Sequence, residues 1–259
     1  DRPHKIIDKL NDHTDRVACE TCHIPTIARI NPTRVWWDWS TAGKFTEDGQ
    51  PIIEKDEMGK VSYHTSKGDM RWAKNVVPDY LWFNGVMTHV LVDDKIDDSA
   101  VVRMTKVHGD RNDPKSRIYP FKMFKGKQVY DVGNKTLVVP KLFGPKGSGA
   151  YWKDFDWQKS VTIGQEEMGR RFSGKLGFIE TEYLRPVAHM VAPREDSLSC
   201  DSCHSRNGRL SQLTGFYLPG RDGFAGLDRI GWLGCLLLLG AVGLHGFIRI
   251  ITVRGRKKK

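Results

Sequence analysis

The longest apolar stretch of the chain lies close to its C-terminus. Residues 230–253 read IGWLGCLLLLGAVGLHGFIRIITV, with Arg249 as the only Lys, Arg, Asp or Glu in the stretch. An α-helix needs about 20 apolar residues to cross the hydrocarbon core of a membrane. The remainder of the chain is too polar to surround such a helix, since the mean hydropathy of the whole is -0.47. The pattern therefore predicts a transmembrane helix over residues 230–253.

The hydrophobic positions before this segment are interrupted by many polar residues, glycines and prolines. Apolar positions around residues 6–10 predict one short helix, and residues 160–175 predict another. Residues 33–190 contain repeated turn signals, and short strands are predicted only at 121–130 and 135–140. The pattern thus predicts long excursions with little regular structure.

Four of the five cysteines have a spacing that indicates a specific prosthetic group. Residues 19–23 (CETCH) and 200–204 (CDSCH) both follow the pattern C-x-x-C-H. In this motif two cysteine sulfurs form thioethers with the vinyl groups of a haem, and the adjacent histidine binds the iron. We therefore predict at least two covalently attached c haems. The predicted attachment residues are Cys19, Cys22, Cys200 and Cys203, and the predicted proximal iron ligands are His23 and His204.

Two other uses of paired cysteines fit these residues less well. A zinc site requires further ligands at matching spacing and leaves His23 and His204 unexplained. A thioredoxin-like redox pair requires a β-α-β setting, which the sequence does not show. Haem attachment is the interpretation that uses both the cysteines and the histidines.

A low-spin electron-transfer haem needs a second axial ligand, which is often another histidine. His189 precedes the second motif closely enough to reach a haem packed nearby, and His13 and His4 precede the first motif in a polar segment. These three are the candidate distal ligands. The histidines of the long middle segment are more typical of solvated side chains, and they are His64, His89 and His108.

Together these features predict a multihaem cytochrome c fold that is mostly irregular. Short helices and few short strands would pack around the haems, followed by one C-terminal transmembrane helix. Haem attachment requires export, and no signal segment is visible at Asp1, so we expect the signal upstream or removed. The tryptophans expected to pack against haem edges or one another are Trp36, Trp37, Trp39, Trp72, Trp82, Trp152 and Trp157.

The distribution of charge predicts how the chain is placed in the membrane. There are 41 Lys and Arg against 31 Asp and Glu, and a basic cluster, RGRKKK, follows the apolar segment at residues 254–259. The positive-inside rule places that cluster in the cytoplasm and the haem domain in the periplasm. Because much of the excess charge is explained in this way, and haem propionates balance more of it, no nucleic-acid partner is predicted. The predicted divisions are a periplasmic haem domain at 1–220, a linker at 221–229, the single-pass helix at 230–253 and the tail at 254–259.

The chain also resembles a known family over nearly all of residues 3–204. The run DHTDRVACETCHIPTIAR is followed by TRVWWDWSTAG, WFNG, YPFKMFKGKQVYD, NKTLVVP, YWKDFDW, SGKLGFIETEY and HMVAPREDSLSCDSCH. These segments, in this order, resemble the octahaem tetrathionate reductase family of c-type cytochromes.

The resemblance implies a protein larger than this chain. Such proteins carry eight c haems in the periplasm, one of them with a lysine ligand, and reduce compounds such as tetrathionate, nitrite or hydroxylamine. Only the last two attachment motifs match, so the other six haems and the lysine-ligated site are expected outside this chain, and no catalytic residue is nominated here. The resemblance carries over His23 and His204 as proximal ligands and His189 as a distal ligand.

One histidine lies inside the predicted membrane helix. His245 and Arg249 are four residues apart and therefore share one helical face. Either His245 ligates a b haem shared with a partner subunit or lines a quinone pocket, or it is an interfacial histidine beside a snorkelling arginine. The second interpretation is preferred.

The leading functional hypothesis is a membrane-anchored electron-transfer subunit. It would pass electrons between an integral-membrane cytochrome b or quinone-interacting subunit and periplasmic redox partners, next to other multihaem segments or subunits. The alternative is an oxidoreductase of the octahaem tetrathionate reductase type, acting on small sulfur or nitrogen compounds, with its catalytic haem outside this segment. A third hypothesis is an interaction subunit whose haems mainly assemble a larger redox complex.

Overall fold

The computed structural model describes residues 2–256, without the side chains of residue 225 and residues 253–256. The chain forms two compact units, Asp1–Ser199 and Cys200–Lys259. The helices of the first unit are α1 (Lys9–His13), α2 (Cys19–His23), α3 (Tyr151–Asp154) and α4 (Trp157–Glu167), with short 3-10 turns at Trp39–Thr41 and Arg194–Asp196. The helices of the second unit are α5 (Cys200–Cys203) and α6 (Ala225–Arg256).

Eleven strands make up the rest of the regular structure in the first unit. They are β1 (Thr33–Asp38), β2 (Ile53–Lys55), β3 (Val61–His64), β4 (Gly68–Ala73), β5 (Asp79–Phe83), β6 (Met87–His89), β7 (Val102–Arg103), β8 (Thr105–Val107), β9 (Arg117–Asp131), β10 (Thr136–Leu137) and β11 (Leu176–Pro186). Nine of them form one mixed sheet in the order β2-β3-β4-β1-β9-β11-β7, with β5 and β10 also paired to β9. The other two, β6 and β8, pair with each other.

The sheet is organised around β9, which is 15 residues long. From Phe121 to Asp131 it pairs antiparallel with β11. Along its other edge, the N-terminal part pairs with β5, the middle part pairs in parallel with β1, and the C-terminal end pairs with β10. One strand therefore holds together segments that are far apart in the sequence.

The prediction of a mostly irregular fold with few short strands is wrong. Among the described residues the strands hold about as many residues as the helices, and nine strands share one sheet. The strand β9 extends beyond the predicted 121–130 and includes the buried Pro120, which pairs across to Tyr80. Proline within a run argues against a strand in sequence reasoning, and Lys, Gly and Gln interrupt the apolar pattern. Long-range pairing, which a local pattern does not report, stabilises this strand.

The predicted helix at 160–175 corresponds to α4, which is shifted towards the N-terminus. Asp156 caps it, because its side chain accepts a hydrogen bond of 3.0 Å from the backbone N–H of Lys159. The helix ends at Glu167, and Gly169 follows with a φ of 65°, a left-handed conformation that glycine adopts at little cost. The predicted strand at 135–140 is reduced to Thr136–Leu137.

Buried side chains form two described clusters in the first unit. One lies under the sheet and combines Ile96, Val102, Met104, Tyr130, Leu137 and Ile179. The other combines Ile24, Ile27 and Ala28, which follow α2, with Val187, which follows β11. The second cluster anchors the chain immediately beyond the first C-x-x-C-H motif.

Several of the tryptophans pack against other aromatic rings, as predicted. The rings of Trp37 and Trp39 stack with centroids 4.3 Å apart, and Tyr151 and Trp157 stack at 3.7 Å. Trp39 and Trp157 meet edge to face at 6.1 Å. This aromatic contact joins β1 and its following turn to α4.

In the second unit, α6 is a long apolar helix. Its segment Gly226–Thr252 has a mean hydropathy of 1.9, and it is long and apolar enough to cross a membrane. The helix begins at Ala225, inside the predicted linker. Its leucine and isoleucine side chains are exposed, as is His245. The helix is therefore a candidate membrane anchor, while residues 257–259 of the predicted basic tail lie outside the described residues.

Candidate functional site

The first C-x-x-C-H motif forms the one-turn helix α2. Cys19, Cys22 and His23 occupy positions i, i+3 and i+4, so all three side chains lie on one helical face. Cys19 is exposed and Cys22 is half-buried, whereas Thr21 on the opposite face is fully buried. The helix therefore turns the two thiols and the imidazole to one side and its motif threonine into the protein.

The start of β9 holds α2 in place. The N–H of Ala18 donates to the carbonyl oxygen of Ile118 at 3.0 Å, and the Thr21 hydroxyl donates to the same oxygen at 2.8 Å. The Tyr119 hydroxyl donates to the Glu20 carboxylate at 3.2 Å. Burial, together with the adjacent Glu20 charge, raises the pKa of Tyr119 to about 12, so the phenol keeps its proton and remains a donor.

The segment that follows β11 holds the other side of the motif. The N–H of Ala192 donates to the carbonyl oxygen of His23 at 2.6 Å, and His23 Nδ1 lies 3.1 Å from the carbonyl oxygen of Ala192. Because a carbonyl oxygen only accepts, Nδ1 carries the proton of this hydrogen bond, and Nε2 keeps a lone pair. That is the tautomer in which an imidazole binds a metal through Nε2.

The second motif repeats this arrangement in the other unit. Cys200 and Cys203 lie in α5, and the N–H of His204 donates to the carbonyl oxygen of Cys200 at 2.9 Å, which continues the turn. His204 Nδ1 lies 3.2 Å from the carbonyl oxygen of Pro219. The same argument leaves Nε2 of His204 with the lone pair. Both motif histidines are thus oriented by a backbone carbonyl distant in sequence.

Arg221 and Asp222 fix the loop that contains Pro219. The Arg221 guanidinium donates to the carbonyl oxygens of Leu213 and Phe216, and to the Asp222 carboxylate at 2.6 Å. Asp222 also accepts from the N–H of Leu218 at 2.7 Å. The hydrogen bond from Arg221 is the main cause that lowers the pKa of Asp222 to about 2. This network holds the carbonyl group that orients His204.

The other histidines differ in the hydrogen-bond partners of their ring nitrogens. His13 Nδ1 lies 3.1 Å from the carbonyl oxygen of Lys9, as in the two motif histidines. In contrast, His64 Nδ1 accepts from the N–H of Ser66 at 3.1 Å, and His108 Nε2 lies 2.9 Å from the Thr88 hydroxyl. His13 therefore presents Nε2 in the form that binds iron, and its assignment as a distal ligand stays a prediction.

The remaining candidates have different surroundings. Among the described residues, His4 Nδ1 is buried without a hydrogen-bond partner, while the backbone of His4 exchanges two hydrogen bonds with the Asn11 side chain. His189 is exposed in the segment between β11 and Ala192, three residues from the group that orients His23. His189 is therefore close in sequence to Ala192, which contacts the first motif, and it also precedes the second motif by 11 residues. Both assignments remain predictions.

The two motifs fit covalent haem attachment. Each has two cysteine side chains, not joined in disulfides, on the same helical face as an imidazole whose Nδ1 is already bonded. A c haem requires this donor set: two thiols at one edge of the ring and one imidazole nitrogen towards the iron.

One feature of the sheet was missed by the sequence reasoning. Arg34, Lys122 and Arg185 line a common cavity on β1, β9 and β11. The alternation in KMFKGKQ and TEYLR, which places every second residue on one face, contained the signal. It was not used because no long strands were predicted there.

Comparisons with known proteins agree with the haem motifs. The model of a family described as "Cytochrome c bacterial" matches residues 34–207. The crystal structure of octaheme cytochrome c from Shewanella oneidensis is similar, with 41% sequence identity and a TM-score of 0.73. The similarity covers 80% of this chain and 47% of that chain, so this chain spans about half the length of that relative. No curated protein matches.

The family model and the solved structure support the expected class of protein. They imply covalently bound haem c and a role in electron transfer or redox chemistry. The more specific resemblance to tetrathionate reductases remains a prediction. Because this family model matches more than half of the chain, the chain belongs to the bacterial cytochrome c family.

Proposed function

We propose that this chain is part of a membrane-anchored multihaem c-type cytochrome that relays electrons. The electrons pass between a membrane partner, which contains cytochrome b or interacts with quinone, and redox partners in the periplasm. The observation that carries the proposal is the shared geometry of His23 and His204, each with Nδ1 bonded to a backbone carbonyl oxygen. When bound, each haem supplies an iron that cycles between its ferrous and ferric states.

The residues around each motif suit electron transfer because they are held rigidly. His23 is tied to Ala192 through two hydrogen bonds, and the helix α2 is bonded to Ile118 on its other side. His204 is oriented by a loop that Arg221 fixes through several carbonyl groups. An iron ligand that moves little between oxidation states lowers the reorganisation energy of each electron transfer.

The proposed membrane placement rests on α6. Its apolar length supports a single span, and the basic residues 254–259 support a cytoplasmic C-terminus with the haem domain in the periplasm. The preferred interpretation of His245 remains an interfacial histidine beside a snorkelling Arg249. The alternative is that both face the partner subunit and that His245 ligates a shared b haem, because polar side chains within a span usually face protein.

The partners extend beyond the membrane subunit. The chain aligns with 47% of an octahaem cytochrome, so we propose that it works beside further multihaem segments or subunits. The competing proposal is a reductase or oxidase of small sulfur or nitrogen compounds such as tetrathionate, nitrite or hydroxylamine. In that case the catalytic haem belongs to one of those other segments.

Spectroscopy of the purified chain with its haems tests the relay. We expect two c haems per polypeptide in a pyridine haemochrome assay and only low-spin signals in electron paramagnetic resonance. The spectrum should not change when nitrite, cyanide or tetrathionate is added. A high-spin component that responds to one of these ligands contradicts the relay and supports an enzyme.

A further inference from the structure

The sheet of the first unit has a cationic cavity of about 450 Å³ on one face. Its wall is formed by residues of β1, β9 and β11, and Trp72 of β4 also lines it. The cationic residues that line it are Arg34, Lys122, Lys127 and Arg185. Lys127 lies opposite Glu180 and shares the alternation of Lys125, so only Arg34, Lys122 and Arg185 are assigned to the cavity face. Among the described residues that line it, no Asp or Glu balances these charges.

The register of the strands brings two of the cations together. Lys122 and Arg185 are directly opposite each other on β9 and β11. Like charges at opposed positions of an antiparallel pair destabilise a sheet. The neighbouring opposed pair, Phe124 and Tyr183, has ring centroids 5.9 Å apart and forms the adjacent part of the wall.

Arg34 is held at the same cavity by aromatic rings. Its guanidinium carbon lies 3.7 Å from the centroid of Trp37 and 5.7 Å from that of Trp72. Its Nη1 contacts Met70 Sδ at 3.5 Å, and its Nε is buried without a hydrogen-bond partner among the described residues. Aromatic contacts orient this guanidinium but leave most of its donors unused.

Burial and mutual repulsion both disfavour the charged forms of these groups. Burial is the main cause that lowers the pKa of Lys122, and the charges of Arg185 and Arg34 lower it further. Burial and the Arg185 charge likewise lower the pKa of Arg34. A bound anion removes this repulsion and fills the unused donors.

The acidic residues of the same strands lie on the other face of the sheet. Lys125 of β9 forms an ion pair of 3.0 Å with Glu182 of β11. Successive side chains of a strand point to opposite faces, so Lys125 lies on the face opposite to Lys122 and Phe124 and points away from the cavity. The positive charge of Lys125 is thus neutralised within the chain on one face of β9 and β11, whereas the cations on the cavity face have no acidic partner among the lining residues.

We propose that Arg34, Lys122 and Arg185 form a binding site for an oxyanion or carboxylate group. The guanidinium of Arg34 supplies planar, paired donors, and Lys122 and Arg185 supply the remaining charge. Two sources have this chemistry: a free inorganic oxyanion, and a propionate of a haem bound to the protein. The inference does not depend on the direction or partners of the proposed electron relay.

Calorimetric titration of the haem-loaded chain with sodium sulfate, at constant ionic strength set with sodium chloride, tests the first source. If a free anion binds, the unmodified chain binds sulfate saturably. Arg34→Gln should weaken binding by about tenfold or more, because hydrogen bonds to charged groups are among the stronger ones. Lys125→Gln, on the same strand but the opposite face, should leave binding unchanged.

Redox titration of the same variants tests the second source. If a propionate occupies the site, sulfate does not bind, and Arg34→Gln shifts the midpoint potential of one haem whereas Lys125→Gln does not. Arg185→Gln, at the exposed rim, replaces Arg34→Gln if that variant does not fold. The proposal is overturned if the cavity variants and Lys125→Gln behave alike in both titrations.

Discussion

His23 and Ala192, which are 169 residues apart in the chain, are joined by two hydrogen bonds. One of them fixes the imidazole of the first haem motif and the other fixes its backbone. This pair connects the N-terminal motif to the end of the long strand β11. The orientation of the His23 ring, the predicted iron ligand, therefore depends on contacts between residues far apart in the first unit.

Replacing the motif histidines should separate haem attachment from iron ligation. In His23→Ala the two cysteines remain, so we expect covalent haem to be retained while one haem becomes high-spin. Haem content is measured by pyridine haemochrome, and spin state by electron paramagnetic resonance. His89→Ala, an exposed residue of β6, is the control and should leave both unchanged. A fully low-spin spectrum in His23→Ala contradicts the assigned role.

The buried hydroxyl of Thr21 should contribute measurably to stability. Thr21→Val keeps the shape of the side chain but removes its hydrogen bond to Ile118, which costs about 1 kcal/mol. The carbonyl of Ile118 still accepts from Ala18, so no buried acceptor is left unpaired. Guanidinium denaturation followed at the haem absorbance measures the loss. Thr21→Ser, which keeps the hydroxyl and loses the methyl group, is the control and should retain the hydrogen bond to Ile118. Equal stability of Thr21→Val and the unmodified chain would contradict a contribution from this hydrogen bond.

The Arg221–Asp222 network predicts an acid-dependent loss of order near the second motif. The pKa of Asp222 is lowered to about 2 in the folded chain from an ordinary value of 3.8. A lowered pKa stabilises the fold above the ordinary value, and this contribution is lost as the pH falls from about 4 to about 2. We expect the melting temperature, followed at the haem absorbance, to fall across this range.

Arg221→Gln is the matched variant for the same measurement. It removes the main cause of the low pKa, so the part of the acid-dependent loss that comes from Asp222 should shrink. Because the substitution also loosens the loop at Pro219, the electron paramagnetic resonance signal of the second haem should broaden at neutral pH. Identical acid titrations of the two proteins would contradict this role of Arg221.

Gly164 should be intolerant of any side chain. It lies in α4 where a Cβ atom would overlap the carbonyl oxygen of Val139 and approach the N–H of Lys141 at 2.6 Å. Backbone atoms move only with their neighbours, so we expect Gly164→Ala to lower the free energy of unfolding by about 1–3 kcal/mol. Thr162→Ala, on the exposed side of the same helix, is the control. Denaturant midpoints compare them, and equal midpoints contradict the close packing of α4.

Removing α6 should release the chain from membranes. A chain truncated before Ala225 is expected in the soluble fraction, whereas the full chain stays in the membrane pellet after carbonate washing. Haem content should be the same in both, since the two motifs precede the helix. Recovery of the full chain in the soluble fraction contradicts the anchor.

The placement of the first motif's side chains on one helical face was predictable from sequence because it depends on local spacing. Cys19, Cys22 and His23 lie within five residues, and one helical turn is enough to place them on one face. The apolar helix was predictable for the same reason, since its length and composition are properties of one continuous segment.

The sheet was not predictable because its strands are defined by distant pairing. Tyr80 pairs with Pro120, and Trp37 pairs with Gly126, so β9 gains partners that no local pattern indicates. The backbone carbonyls that orient the motif histidines were missed for the same reason. Ala192 and Pro219 carry no chemical signal of their own, and only the folded chain brings them to His23 and His204.

The distance along the chain between His23 and Ala192 sets an order of events during biogenesis. Contacts between residues far apart in sequence form late in folding. The thiols of Cys19 and Cys22 precede Ala192 in the sequence, so they are synthesised before the residue that orients the neighbouring ring. The cysteines of this motif are thus available for haem attachment before the contact with Ala192 forms, and synthesis of the later part of the chain supplies the residue that then fixes the imidazole.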